Sequence, residues 1–78
     1  MKKLEILGTG CPKCNQLYQQ SELAAKELGI DYTIGKVSDI NEILDRGVMM
    51  TPALMVNEQV KVVGRVPNLD ELKKLIGG

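Results

Sequence analysis

An apolar run that passes directly into a long amphipathic segment constrains the fold of this 78-residue chain more than any other feature. Residues 4–7 predict a short strand, and Gly8-Thr9-Gly10 predicts a tight loop after it. Pro12 suits the first turn of a helix, and Gly29 provides a stop signal. The side chains that share one face of this helix are Cys14, Leu17, Ser21, Ala24, Ala25 and Leu28. We therefore expect a strand, a loop and a helix in direct succession.

A second strand and a short helix are predicted next. Residues 30–34 are apolar with polar interruptions, which favours a strand near the edge of a sheet. Ser38 is expected to cap the short helix, and Gly47 to close it. The apolar face of this helix is expected to hold Ile40, Ile43 and Leu44.

The last third of the chain predicts a hairpin and a final helix. Residues 53–56 and 60–63 flank a polar turn at 57–59. Asn68 and Glu71 resemble a capping box at the start of a helix. Its apolar face is expected to hold Leu69, Leu72, Leu75 and Ile76. The order is thus β-α-β-α-β-β-α in one α/β domain over residues 1–78, with a four-stranded mixed sheet flanked by three helices.

The composition argues against two classes of partner. Ten basic residues balance ten acidic ones, and the aromatic residues are Tyr18 and Tyr32 alone, so no surface for nucleic acid is expected. Apolar runs reach about four residues, far fewer than the ~20 of a membrane span, and residues 1–4 lack the apolar core of a secretion signal. We expect a monomeric cytoplasmic protein. The absence of histidine removes the commonest general base and metal ligand.

Cys11 and Cys14 are the two cysteines of the chain. A disulfide between them would close a loop too short to stabilise the fold much, because the entropic gain grows with loop length. In a cytosolic protein such a pair favours catalysis or metal binding over a structural role. On spacing alone, both alternatives stay open.

Two motifs together resemble the thioredoxin superfamily: Gly10-Cys11-Pro12-Lys13-Cys14 at a strand-to-helix junction, and Thr51-Pro52 before a later strand. Over its whole length, including residues 63–66, the chain resembles the small bacterial and archaeal thioredoxin-like proteins called redox-active disulfide proteins. The resemblance implies a minimal thioredoxin-like fold and a redox-active Cys11–Cys14 disulfide. It also implies disulfide-containing substrate proteins and a disulfide reductase of unknown identity, with no cofactor and no metal.

Within this resemblance the two cysteines take different roles. Cys11 is expected at the helix N-terminus, whose partial positive charge stabilises a thiolate, so Cys11 is the nucleophile. Lys13 adds a positive charge nearby. Cys14 lies one turn later on the apolar face, where it is shielded and resolves the mixed disulfide.

The resemblance also assigns roles to three residues outside the cysteine motif. Pro52 should follow a cis peptide bond and lie across from the cysteines, with the Thr51 backbone available to pair with an extended substrate. Glu5 lies six positions before Cys11, where many thioredoxins place a buried aspartate that assists proton transfer. The alternative is a solvated glutamate at the start of a strand.

The resemblance has limits that bear on the electron donor. Gly10 stands where many thioredoxins have tryptophan, and Pro12-Lys13 is closer to the Pro-Tyr of glutaredoxins than to Gly-Pro. The glutathione pocket of glutaredoxins is poorly reproduced, since Lys13 replaces its tyrosine and Gly64-Arg65 replaces its Gly-Gly-acidic segment. These departures argue against glutathione as a ligand.

Two other functions compete with disulfide exchange. Small heavy-metal-associated domains also place a CxxC after a first strand, and two thiolates can hold Cu(I). Those domains follow the order β-α-β-β-α-β and lack Thr-Pro, and structural zinc would need two further ligands. A non-enzymatic interaction domain is the other alternative, although such derivatives often lose one cysteine.

Overall fold

Strands and helices follow one another along the chain in the order that the sequence predicts. The computed structural model describes residues 1–10 and 12–77. Its elements are β1 (Lys2–Leu7), α1 (Pro12–Leu28), β2 (Tyr32–Val37), α2 (Ile40–Asp45), β3 (Ala53–Val56), β4 (Gln59–Val63) and α3 (Leu69–Gly77). The predicted α/β class and element order are confirmed. Across the described residues, no helix combines the length and apolar character that a membrane span needs.

β1 lies inside a four-stranded mixed sheet with the strand order β2-β1-β3-β4. It pairs with β2 in parallel and with β3 antiparallel, while β3 and β4 form an antiparallel hairpin. All residues from Leu4 to Gly8 are buried, the charged Glu5 included. Because successive side chains of a strand point to opposite faces, Leu4 and Ile6 face one layer, whereas Glu5 faces the other.

The sheet separates two apolar clusters. The larger lies between the sheet and helices α1 and α3, and its buried members are Leu4, Ile6, Leu17, Ala24, Ala25, Leu54, Val56, Val62, Leu72 and Ile76. The smaller lies on the α2 side and comprises Leu7, Val37, Ile43, Val48, Ala53 and Met55. The residues that α1 buries are Cys14, Leu17, Ser21, Ala24 and Ala25. This set agrees with the predicted helix face except at Leu28, which is partly buried. The buried face holds the first turn of α1 against the end of β1.

β2 begins and ends later than the strand predicted at residues 30–34. The prediction followed the apolar side chains of that segment. The ladder to β1 instead runs from Lys2↔Tyr32 to Leu7↔Val37. An edge strand is extended by its backbone pairing, so it continues through exposed residues as long as its neighbour offers partners.

The cap and the buried face of α2 also differ from the prediction. Asp39, not Ser38, caps the helix, and its carboxylate accepts a 2.8 Å hydrogen bond from the backbone N–H of Asn41. Ile43 is the residue that α2 buries. The predicted face is wrong for Ile40 and Leu44, which are 62% and 54% exposed. A helix of six residues is too short to bury a full apolar stripe.

The hairpin between β3 and β4 is confirmed, with a tighter turn than predicted. Asn57 and Glu58 have φ of 51° and 68°, the left-handed conformation of a two-residue hairpin turn. Gln59, expected in the turn, is the first residue of β4. The Asn57 N–H donates to the Lys3 carbonyl at 2.8 Å, and the Asn57 side chain accepts from the Lys3 N–H at 2.9 Å. These bonds attach the turn to β1.

α3 begins with one half of the predicted capping box. The Asn68 side chain accepts a 2.8 Å hydrogen bond from the backbone N–H of Glu71. The Glu71 carboxylate accepts hydrogen bonds from both terminal nitrogens of Arg65. This hydrogen bonding lowers the pKa of Glu71 and raises the pKa of Arg65. The contact ties the loop after β4 to the first turn of α3.

Candidate active site

The described part of the loop after β1 ends at Gly10, and α1 begins at Pro12. Gly10 has a φ of 89°, a conformation that favours glycine. Pro12 is the first residue of α1, as the sequence predicts. Cys11 lies outside the described residues. Its role as the nucleophile therefore stays a prediction.

Cys14 is the third residue of α1 and is 4% exposed. It is disulfide-bonded. Its side chain lies against the backbone of Gly8, the residue that follows β1. A Cβ atom built on Gly8 would be 2.9 Å from the Cys14 Cβ and closer still to its Sγ. The expected burial of Cys14 is confirmed, and its resolving role stays a prediction.

The Thr51-Pro52 peptide bond is cis, as the resemblance implies. Pro52 is buried, and its carbonyl accepts a 2.7 Å hydrogen bond from the backbone N–H of Gly64. Thr51 is exposed, and its Cβ is 3.9 Å from the position that a Cβ on Gly8 would take. Gly8 thus has both Cys14 and Thr51 as neighbours. The fold brings the two sequence motifs together at this residue.

Lys13 lies on the surface of α1 and lines a groove of about 530 Å³. The opposite wall of the groove is the loop between β4 and α3, including Arg65 and Asn68. The cationic side chains of Lys13 and Arg65 therefore border the same groove. Lys13 is near the start of α1, as predicted, and its electrostatic effect on the cysteines stays a prediction.

Glu5 is 8% exposed, so the alternative of a solvated glutamate is wrong. It pairs with Met55 in the β1–β3 ladder and faces the α2 side of the sheet. Arg46 donates a 2.9 Å hydrogen bond from Nη1 to the Glu5 Oε1, and the Lys3 Nζ is 3.9 Å from the same oxygen. α1, which carries Cys14, packs on the other face. Burial is the condition on which the predicted proton relay depends, and the relay itself stays a prediction.

An apolar cavity of about 190 Å³ lies beside Thr51. Ile40, Leu44 and Met49 line it together with Thr9, and Met49 is 87% exposed. The sequence predicts only a loop at Met49, because a loop pattern carries no information on which side chains stay uncovered. We call Ile40, Leu44 and Met49 the apolar rim.

The described residues, 1–10 and 12–77, contain no group of three or more cysteine, histidine or carboxylate side chains that could hold a metal ion. The element order also differs from that of the heavy-metal-associated domains considered as an alternative. Helix α2 separates β2 from β3, and helix α3 follows β4. The fold therefore favours the thioredoxin-like alternative.

Comparison with known proteins gives matches across nearly the whole chain. The family model described as "Thioredoxin domain" matches residues 2–77. A protein named thioredoxin from Methanocaldococcus jannaschii is 43% identical over 74 residues, covering 95% of this chain and 85% of that protein. A thioredoxin from Methanothermobacter thermautotrophicus is 40% identical over 76 residues, covering 97% and 99%.

These relationships imply thiol–disulfide oxidoreductase or electron-carrier activity on proteins that contain disulfides. They also agree with the element order predicted from the sequence and found in the structure. The match reaches both ends of the fold, from β1 to α3. This chain belongs to the thioredoxin family.

Proposed function

We propose that this chain transfers two electrons to the disulfides of substrate proteins by cycling Cys11 and Cys14 between dithiol and disulfide. The observation that supports the proposal most is the position of Cys14. It is buried in the first turn of α1, close to the loop that carries Thr51. A disulfide here would add little stability because its loop is short, so a redox role explains the pair better.

In the first step, the Cys11 thiolate attacks one sulfur of a substrate disulfide. The substrate S–S bond breaks, a mixed disulfide forms, and the other substrate sulfur leaves as a thiolate that takes a proton. α1 has 17 residues, and its N-terminus carries a partial positive charge of about half a unit. This charge favours the Cys11 thiolate, and Lys13 adds to it.

In the second step, Cys14 attacks the Cys11 sulfur of the mixed disulfide. The Cys11–Cys14 bond forms, and the second substrate sulfur leaves as a thiol after it takes up a proton. Burial disfavours a thiolate at Cys14, so its proton must be removed during the attack. Glu5 is the proposed relay because it is buried close to the end of β1, on the face of the sheet opposite α1. A purely structural pairing with Arg46 is the competing explanation.

The substrate is proposed to be an extended polypeptide segment beside a disulfide. Its backbone would pair with Thr51, and its apolar side chains would contact the apolar rim. Thr51 and Met49 are both exposed and lie in the same loop. A disulfide reductase would return the chain to the dithiol form, and a cytoplasmic location would suit this cycle.

Trapping of the mixed disulfide tests the order of attack. Cys14→Ser should accumulate a stable adduct between Cys11 and a disulfide-containing protein such as insulin. Cys11→Ser, the matched control, should form little adduct and should lose insulin reduction. Gel electrophoresis without reductant and mass spectrometry measure the adducts. Equal trapping by both variants, or full activity in both, would reject the mechanism.

The pH dependence of alkylation tests the assigned nucleophile. With iodoacetamide, one thiol should titrate below the ordinary cysteine pKa of ~8.5, and peptide mapping should place that label on Cys11. The physical reason is the positive end of α1. If Cys14 is alkylated first, the roles are reversed.

A further inference from the structure

Gly8 is buried where β1 ends, and it lacks a side chain at the point where Cys14 packs. A Cβ atom at residue 8 would be 2.9 Å from the Cys14 Cβ and nearer still to its sulfur. Unlike Gly10 and Gly64, Gly8 has no left-handed φ. Its backbone conformation is therefore open to any residue, and the requirement for glycine comes from the space that Cys14 occupies.

Neither side of this contact can move away easily. The Gly8 N–H donates a 2.9 Å hydrogen bond to the Val37 carbonyl, which extends the β1–β2 ladder by one residue. Thr51 lies 3.9 Å from the same Cβ position. Cys14 belongs to a helix whose Leu17 is fully buried in the larger core cluster. A side chain at residue 8 would thus press on both the Cys14 Cβ, which moves only with the helix, and the Cys14 sulfur, which moves with its rotamer.

We infer that Gly8 is a positioning residue that sets the balance between the dithiol and disulfide forms of the chain. The inference rests on the proposed function. Cys14 is disulfide-bonded in this structure, so its contact with Gly8 belongs to the oxidised form. In that form the bond holds the sulfur in place, whereas the thiol of the reduced form can turn about its Cα–Cβ bond to another rotamer. The contact with the Cys14 Cβ is common to both forms, because turning about the Cα–Cβ bond does not move that atom. The sulfur contact is the one that differs, so a methyl group at residue 8 disfavours the disulfide form more than the dithiol form.

The equilibrium with glutathione measures this balance. Two glutathione molecules reduce the disulfide of the chain and leave as one glutathione disulfide, so electrons and protons balance. Gly8→Ala should shift the equilibrium at least tenfold toward the dithiol, which corresponds to about 30 mV for a two-electron couple. Gly35→Ala is the matched control, because Gly35 is exposed in β2 with no atom within 4 Å of its Cβ position. It should leave the equilibrium unchanged.

Thermal unfolding of both redox forms separates positioning from a general loss of stability. Gly8→Ala should lower the Tm of the oxidised form more than that of the reduced form. An equal loss in both forms, together with an unshifted glutathione equilibrium, overturns the inference.

A second variant keeps the test decisive if Gly8→Ala does not fold. In a Cys14→Ala background the sulfur is absent and the 2.9 Å contact with the Cβ of residue 14 remains. The added methyl group should therefore cost less stability than in the wild-type background, and the double variant should fold. If Gly8→Ala is as damaging without the sulfur as with it, the inference is wrong.

The outcomes also distinguish this inference from the proposed function. A wild-type chain that fails to reduce insulin, combined with a shifted equilibrium in Gly8→Ala, rejects the function and retains the role of Gly8. An active wild-type chain with an unshifted Gly8→Ala variant rejects the role of Gly8 alone.

Discussion

Replacing Arg46 by methionine should destabilise the protein, because it leaves the Glu5 carboxylate buried without its closest cationic partner. The Glu5 side chain is 11% exposed, and the remaining cation, the Lys3 Nζ, is 3.9 Å away. Breaking a fully buried pair costs ~3–5 kcal/mol, whereas exposed pairs contribute ~0–1 kcal/mol. The Arg46 side chain is 30% exposed, so solvent screens part of the interaction. We expect a loss of about 2 kcal/mol, between these two limits.

Thermal and urea unfolding at pH 7 measure this loss. For a domain of this size 1 kcal/mol corresponds to ~4–8 °C, so the Tm should fall by about 8–16 °C. Glu22→Gln is the control, because the Glu22–Lys26 pair has a 3.1 Å contact but lies on the surface of α1. It should cost much less stability than Arg46→Met, because solvent screens an exposed pair.

The double variant Glu5→Leu/Arg46→Met tests the cause of the loss. It removes the buried charge together with its partner, so it should recover at least half of the lost stability. The reasoning is refuted if Arg46→Met costs no more than Glu22→Gln, or if the double variant is no more stable than Arg46→Met.

Three further predictions concern buried and paired polar groups. Glu5→Gln should slow resolution by Cys14 more than the first attack, measured by stopped-flow kinetics; equal rates across pH 6–9 would leave Glu5 a purely structural role. Ser21→Ala should raise the free energy of unfolding by about 0.5–1 kcal/mol, because the buried Ser21 hydroxyl has no hydrogen-bond partner among the described residues and alanine favours the helix. A lower free energy of unfolding in urea would contradict this prediction. Arg65 lowers the pKa of Glu71 from about 4.5, so their pair stabilises the fold above that value and is lost as pH falls below it. Glu71→Gln should therefore lose less stability than wild type between pH 5 and 3, and parallel acid unfolding curves would show that the pair contributes nothing.

Elements with one clear hydrophobic period could be predicted from the sequence. In α1, helical spacing alone identifies every residue that becomes buried, Cys14 among them, together with Leu28, which is partly buried. In the final helix the predicted face holds Leu72 and Ile76, which are buried in the core, and Leu69 and Leu75, which are partly buried against it. In such segments the local pattern and the tertiary packing agree, and the pattern is long enough to define a face.

The mispredicted elements are those whose first and last residues, or whose buried face, depend on the strands and helices packed beside them. The bounds of β2 follow its ladder to β1, which no property of residues 30–34 reveals. α2 buries Ile43 alone because it is too short for a stripe. Arg46, which donates a hydrogen bond to Glu5, lies 41 residues further along the chain. The sequence therefore allowed a buried glutamate to be considered, but it did not identify Arg46 as the residue that pairs with it.

Gly8 shows why part of the candidate site could not be predicted from the sequence. A glycine in a loop can supply backbone freedom or can supply space, and the tight loop predicted at Gly8-Thr9-Gly10 does not say which of the two each glycine supplies. The structure separates the two cases, because Gly10 has a positive φ whereas Gly8 does not. The space that Gly8 leaves lets the first turn of α1 place the Cys14 side chain directly on the end of β1. Cys14 is thereby shielded by a contact between strand and helix, and this contact, rather than the spacing of the cysteines, is what we expect to set its reactivity.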